Sequence, residues 1–147
     1  MLETTIKKFE ALTTNELYAI LKLRSEVFVV EQDCVYQDLD DKDKKALHVI
    51  GWFDSTIVAY TRVFDINLYF DEASIGRVVV NQKYRSKGFG KDIMEASIIA
   101  IKSHYNQTKI KISAQTYLIK FYNELGFKEQ GKPYLEDGIP HTVMIKN

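Results

Sequence analysis

Between Leu17 and Phe28 the apolar residues Leu17, Ile20, Leu21 and Phe28 recur at helical spacing and predict one amphipathic helix. Thr13, with Glu16 three residues on, reads as the capping box that starts it. Ahead of it, residues 4–10 read as a first strand. Residues 47–53 and 56–64 are β-rich runs on either side of Asp54-Ser55, the pattern of a hairpin. Residues 73–80 end in Arg77-Val78-Val79-Val80, a buried strand. Ile93, Met94, Ile98 and Ile101 then predict a helix over 91–105. Ile110 and Ile112 mark another strand, and residues 116–125 a short helix with Gly126 as its C-terminal stop. Residues 127–134 and 141–146 pair around Glu136-Asp137-Gly138. Strands interspersed with helices predict an α/β or α+β class with a mixed sheet.

Composition narrows the function. The 147 residues fit one domain, residues 1–147, able to bury a core without staples. Twenty basic and twenty acidic residues cancel, so the basic excess of a nucleic-acid binder is missing. The single cysteine, Cys34, rules out an internal disulfide and suits a reducing compartment. No run approaches the roughly 18–20 apolar residues of a membrane span, and the opening residues lack a secretory apolar stretch. The expectation is a cytoplasmic protein that binds neither membrane nor nucleic acid.

The segment from Val78 to Lys91 carries the chemistry. A buried strand enters a loop with Gly88 and Gly90, which enters an amphipathic helix. The first amides of a helix lack intrahelical partners and favour anions, glycine lets backbone approach a phosphate, and Arg85, Lys87 and Lys91 add positive charge. A pyrophosphate suits such a site. The Walker pattern is absent, because Gly90-Lys91 is followed by Asp92; the dinucleotide fingerprint is absent for want of a third glycine. From the loop alone, an ordinary strand-to-helix turn stays open beside the anion site.

Arg85-x-x-Gly88-x-Gly90 after a valine-rich strand resembles the acetyl-CoA motif of the GNAT N-acetyltransferases. Downstream, Ser113-Ala114-Gln115 and Phe121-Tyr122-Asn123-Glu124-Leu125-Gly126-Phe127 resemble a second element of that superfamily, although many members have asparagine where Gln115 stands. Leu23-Arg24, Val27 to Gln32, Tyr36, Asp38, Asp40, His48 and Tyr134 to His141 resemble its ElaA-like branch, so the likeness covers nearly the whole chain.

The resemblance implies a GNAT fold: a central mixed, mostly antiparallel sheet flanked by helices, its strands splayed at the acetyl-CoA site. It also implies an acetyl-CoA-dependent N-acetyltransferase in which a small-molecule or peptide amine attacks the thioester directly, and it leaves a homodimer open. Backbone of Val78, Val79 and Val80 would pair with pantetheine amides and supply an oxyanion donor. Arg85, Ser86, Lys87, Gly88, Phe89, Gly90 and Lys91 would hold the pyrophosphate, with Gln115 at the cofactor. Tyr122 would protonate the leaving thiolate, as a phenol of pKa near 10 can toward a thiolate of roughly 8.5 or higher. Glu31 and His48 are the candidates for the base, with a surface carboxylate and a satisfied strand-end histidine left open beside that role. The alternatives are a non-catalytic acyl-CoA sensor or a nucleotide-binding protein using the same loop.

Other residues point away from other chemistries. The acidic run over 38–45 suggests calcium, but the fifth, sixth and twelfth loop positions counted from Asp38 hold Lys42, Asp43 and Val49. A solvated segment is expected instead. Cys34 has no neighbouring cation to make it a nucleophile, and is expected to be free and partly buried. His104 and His141 lack partners at metal-ligand spacing, so no metal is expected; His141 is expected at the surface by default, with the substrate side of the C-terminal hairpin open as the alternative.

Overall fold

The computed structural model describes residues 1–147. The capping box forms: the Glu16 amide donates to Thr13 Oγ1 at 3.0 Å and the Thr13 amide to Glu16 Oε1 at 2.8 Å. These contacts satisfy two otherwise orphaned donors and start helix α1, Thr14–Arg24. The expected single helix does not run unchanged to Phe28. From Ser25–Glu31 the chain widens into a π-helical segment, a distortion common at functional sites.

Seven strands make one sheet: β1 Glu3–Lys8, β2 Leu47–Phe53, β3 Thr56–Phe64, β4 Ala73–Val80, β5 Ile110–Gln115, β6 Lys128–Glu136 and β7 Ile139–Lys146. Their spatial order is β1-β2-β3-β4-β5-β7-β6. Every neighbouring pair is antiparallel except β4 and β5. Helix α2, Phe89–Tyr105, makes the crossover that a parallel pair requires, and α3, Ile119–Glu124, follows β5. Two hairpins close through residues of positive φ, Asp54-Ser55 and Asp137-Gly138, as tight hairpin loops demand. No helix is long and apolar enough to cross a membrane.

The sheet has two differently covered faces. On one, α2 buries Ile93, Met94, Ala100 and Ile101 against Val63, Ile75, Ile112 and Met144. On the other, α1 buries Ile20 and Leu23, with Val27 behind them, against Ile50, Tyr60 and Val79. Alternation along β5 and β7 sends Ser113, Gln115 and His141 to this second face, beyond the strands that α1 covers.

The acidic run is not the solvated segment expected. Asp38 and Asp43 are buried, bound by arginines from α1, β3 and β4. Arg24 Nε lies 2.9 Å from Asp38 and its Nη1 2.8 Å from Asp43. Arg62 reaches Asp40 at 2.6 Å and Asp43 at 2.9 Å, and Arg77 Nε reaches Asp38 at 2.7 Å. Three guanidinium groups and three carboxylates cancel, which lets the charges leave water. Burial opposes ionisation of Asp40 and Asp43, yet the arginine hydrogen bonds win and hold both below the ordinary carboxylate range.

Candidate functional site

The parallel strands β4 and β5 pair only at Ala73↔Ile110 and Ser74↔Lys111, and then part. Beyond that point, β4 keeps its hydrogen bonds to β3 on one side alone. The register also slips. Tyr60 faces Val79 and Arg62 faces Gly76, so Arg77 and Val78 together oppose Thr61 in a bulge. Arg77 sits there at φ 48°, a conformation costing a non-glycine residue about 1–3 kcal/mol. Its side chain offsets that strain through Asp38, donating from Nε to the carboxylate at 2.7 Å and from Nη2 to the main-chain oxygen at 2.9 Å. The buried ionic cluster thus holds the bend that opens the sheet.

A cleft of about 800 Å³ fills the opening. At one end, Gly88 caps α2 at φ 81° and ψ 9°, a left-handed position that glycine adopts without penalty. A side chain on Gly88 would meet no protein atom within 4 Å, so this residue answers a backbone need and leaves room beside the helix. Gly90 has a different role. A Cβ there would lie 3.4 Å from the Phe121 ring, so its bareness lets α2 and α3 pack closely. The first amides of α2 open onto the cleft with Ser86, Phe89 and Lys91, whereas Lys87 does not line it. Arg85 lines it, but its guanidinium is engaged: it grips both oxygens of Glu31, at 2.5 and 2.8 Å, and donates to the Val80 carbonyl at 3.1 Å. Arg85 therefore ties the loop to the π-helical segment, and Lys91 remains as the lining cation beside the helix end.

Tyr122 lines the cleft from α3 while 5% exposed. Burial, with Tyr117 adding to it, raises the phenol above its ordinary pKa, so it keeps its proton throughout the neutral range. Val78, Val79 and Val80 also line the cleft. Gln115 does so from β5, exchanging amide hydrogen bonds of 3.1 and 3.3 Å with Gln32 at the end of the π-helical segment.

The two expected bases fare differently. His48 does not line the cleft. It is 1% exposed, and both ring nitrogens are occupied. Nε2 donates to the Asp43 carbonyl at 2.9 Å, and Nδ1 accepts from the Tyr60 hydroxyl at 2.6 Å. A carbonyl only accepts, so this ring is the neutral tautomer with its lone pair taken; burial lowers its pKa accordingly. His48 is a core histidine. Glu31 does line the cleft, but its carboxylate belongs to Arg85.

His141, expected at the surface, is instead 7% exposed and inside the cleft. It stands on β7 opposite Gln115. Its Nδ1 donates to the Ile139 carbonyl at 2.7 Å, which fixes the tautomer and leaves the Nε2 lone pair free. Glu136 Oε2 lies 3.5 Å from that nitrogen. Ser113 hydrogen-bonds both Tyr134 and Glu136 beside it. The only sequence signal was the Tyr134–His141 run itself, together with the alternation that puts residues 115 and 141 on one face. Cys34 is free and half-buried as expected, with its thiol donating to the Asp137 carbonyl at 3.2 Å.

Known proteins share this fold. The family described as Acetyltransferase (GNAT) domain matches residues 10–147. Protein ElaA of Escherichia coli strain K12 is 36% identical over 137 residues, covering 92% of this chain and 90% of that protein. The crystal structure of E. coli ElaA superposes with a TM-score of 0.92 over all of both chains. An acyl-CoA N-acyltransferase from Pseudomonas aeruginosa superposes with a TM-score of 0.93, at 39% identity and again over all of both chains.

Proposed function

Because the chain belongs to the GNAT acetyltransferase family, we propose that it moves an acetyl group from acetyl-CoA to a primary amine by direct attack, with both substrates bound. The observation that carries this reading is the early parting of β4 and β5 beside the N-terminus of α2. It leaves a slot with unpaired β4 backbone along one wall and helix amides at one end, matching a chain of amides that terminates in phosphates. The P. aeruginosa relative, described as an acyl-CoA N-acyltransferase, supports the same reading.

The thioester supplies the activated acetyl group; the protein supplies position and proton handling. The α2 amides, the Gly88 turn and Lys91 would receive the pyrophosphate. Backbone from Val78 to Val80 would pair with the pantetheine amides and direct one N–H at the thioester carbonyl. Arg85 and Glu31 would brace the loop. As the new C–N bond forms and the C–S bond breaks, the amine proton would pass to His141 Nε2, leaving an imidazolium beside Glu136. Tyr122 would give its phenolic proton to the departing thiolate. His141 thus replaces His48 and Glu31 as the proposed base, because it combines a free lone pair with access to the cleft.

Acetyl-CoA titrated into thermal melts should stabilise the fold by about 2.7 kcal/mol at 100 times its Kd, and thiol release should depend on added amine. Absence of both effects with intact acetyl-CoA would end the proposal. For His141→Gln, kcat should fall about 100- to 10,000-fold while acetyl-CoA affinity is kept. Near-normal turnover would remove His141 from the mechanism.

A further inference from the structure

The α1-side end of the cleft holds two buried polar groups that the transfer chemistry does not use. Arg62 is 1% exposed and Ser74 is 2% exposed, and both line the cleft. Arg62 Nε and Ser74 Oγ have no hydrogen-bond partner in the protein. Buried donors are nearly always satisfied, so two on one cleft wall point to something that enters it.

Charge does not explain Arg62. Its Nη1 donates to Asp40 and Asp43 at 2.8 and 2.9 Å, and its Nη2 donates to Asp40 at 2.6 Å. Two carboxylates therefore answer the cation, and what remains is one directed N–H. The residue facing Arg62 across the β3–β4 ladder is Gly76. A Cβ on Gly76 would lie 4.0 Å from Arg62 Nε, and that nitrogen is the one atom it would approach. Gly76 has no positive φ, so its backbone does not require glycine. Glycine there puts no side chain of β4 beside Arg62 Nε. Ser74 stands two residues earlier on the same strand and, by strand alternation, on the same face.

That face also carries His141 and Glu136. Tyr69, Glu136, Arg62 and Arg77 line the same cleft. One part of it offers a carboxylate outside the arginine cluster, suited to an ammonium; another offers two unmet hydrogen-bonding groups, suited to oxygen.

We propose that this end of the cleft is the acceptor subsite, and that it selects amines bearing a carboxyl or carbonyl oxygen, received by Arg62 Nε and the Ser74 hydroxyl while Glu136 holds the ammonium. The proposal rests on the acetyltransfer reading for its choice of amine. Free amino acids and peptide N-termini share this chemistry.

The test compares glycine, glycinamide and methylamine, and likewise lysine, lysinamide and 1,5-diaminopentane. Binding to the coenzyme A-loaded protein is measured by calorimetry, and kcat/KM with acetyl-CoA by thiol release. The oxygen-bearing members should be preferred over the decarboxylated amine by at least about tenfold. Preference for the carboxylate over the carboxamide assigns the site to free amino acids, and equal preference to peptide N-termini. Ser74→Ala should shrink the preference several-fold through KM, and Gly76→Ala should do the same by screening Nε, with both variants keeping the wild-type thermal shift on acetyl-CoA. The proposal is overturned if decarboxylated amines serve equally well, if neither variant changes the preference, or if no oxygen-bearing amine binds the loaded protein. Failure of acetyl-CoA itself to bind would instead count against the transferase reading.

Discussion

Asp38→Ala tests the role of the buried ionic cluster. Asp38 accepts from Arg24 Nε at 2.9 Å, from Arg77 Nε at 2.7 Å and from the Tyr36 hydroxyl at 3.1 Å. Two of these hydrogen bonds are charge-assisted, at about 1.5–3 kcal/mol each. Removing the carboxylate leaves Arg24, which is fully buried, with Asp43 as its remaining anion. Breaking such a buried pair from one side costs about 3–5 kcal/mol. At roughly 2–4 °C per kcal/mol for a chain of this size, melting should fall by about 6–20 °C. Urea denaturation followed by circular dichroism measures the loss directly. A double-mutant cycle with Arg77→Ala should return a coupling of about 0.5–3 kcal/mol. Because Arg77 occupies the bulge, acetyl-CoA affinity should fall as well, even though Asp38 does not line the cleft. A loss below about 1 kcal/mol would place Asp38 with ordinary surface ion pairs and refute the argument.

Tyr122→Phe should leave acetyl-CoA affinity nearly unchanged and lower turnover about 100- to 10,000-fold, with a smaller loss for an acyl donor whose thiol is more acidic; near-normal turnover would show that another group protonates the thiolate. Stability should decline with acid in two stages, read from urea melts across pH. His48 is held neutral below its ordinary pKa, so its contribution is full above about pH 6.5 and falls below it; Asp40 and Asp43, depressed in the fold, contribute fully above about pH 4 and lose that contribution as pH drops further. His48→Asn should remove the first stage while keeping the second, and an unaltered first stage would exclude His48 as its source. Gly90→Val should destabilise the protein by about 1–3 kcal/mol, because its branches must displace the Phe121 ring 3.4 Å from the first added carbon; wild-type melting would show that α3 yields freely.

The strands and hairpins were legible because they rest on local rules. Alternation set β5, the paired positive-φ positions suited the turns at 54–55 and 137–138, and Thr13 with Glu16 made the cap. The ionic cluster was not legible, since its hydrogen bonds join residues 14 to 39 positions apart. Nothing within 38–45 announces arginines arriving from α1, β3 and β4. The histidines each kept two readings open for a related reason. His48 and His141 both stand on strands, and strand position alone does not say whether a core tyrosine or an open cleft faces the ring. The loop at 85–91 borders the cleft except at Lys87, and the local sequence did not show Arg85 as the partner of Glu31, 54 positions earlier.

The departures from local rules have a common location. The π-helical segment, the left-handed Arg77, the parallel pair that ends after two residues and the two unpartnered polar groups all border one cleft. Each is unfavourable in isolation, and each persists because distant groups hold it in place. Asp38 restrains Arg77, Glu31 and Arg85 fasten the π-helical segment to the loop, and Gln32 with Gln115 ties the end of that segment to β5. The same arrangement explains why the two sheet faces differ. A second helix over Ser113, Gln115 and His141 would close the face through which, in the proposed mechanism, an acceptor would reach Nε2 of His141. Under that proposal, the polar, uncovered part of the sheet would be the side from which substrate enters, opposite α2.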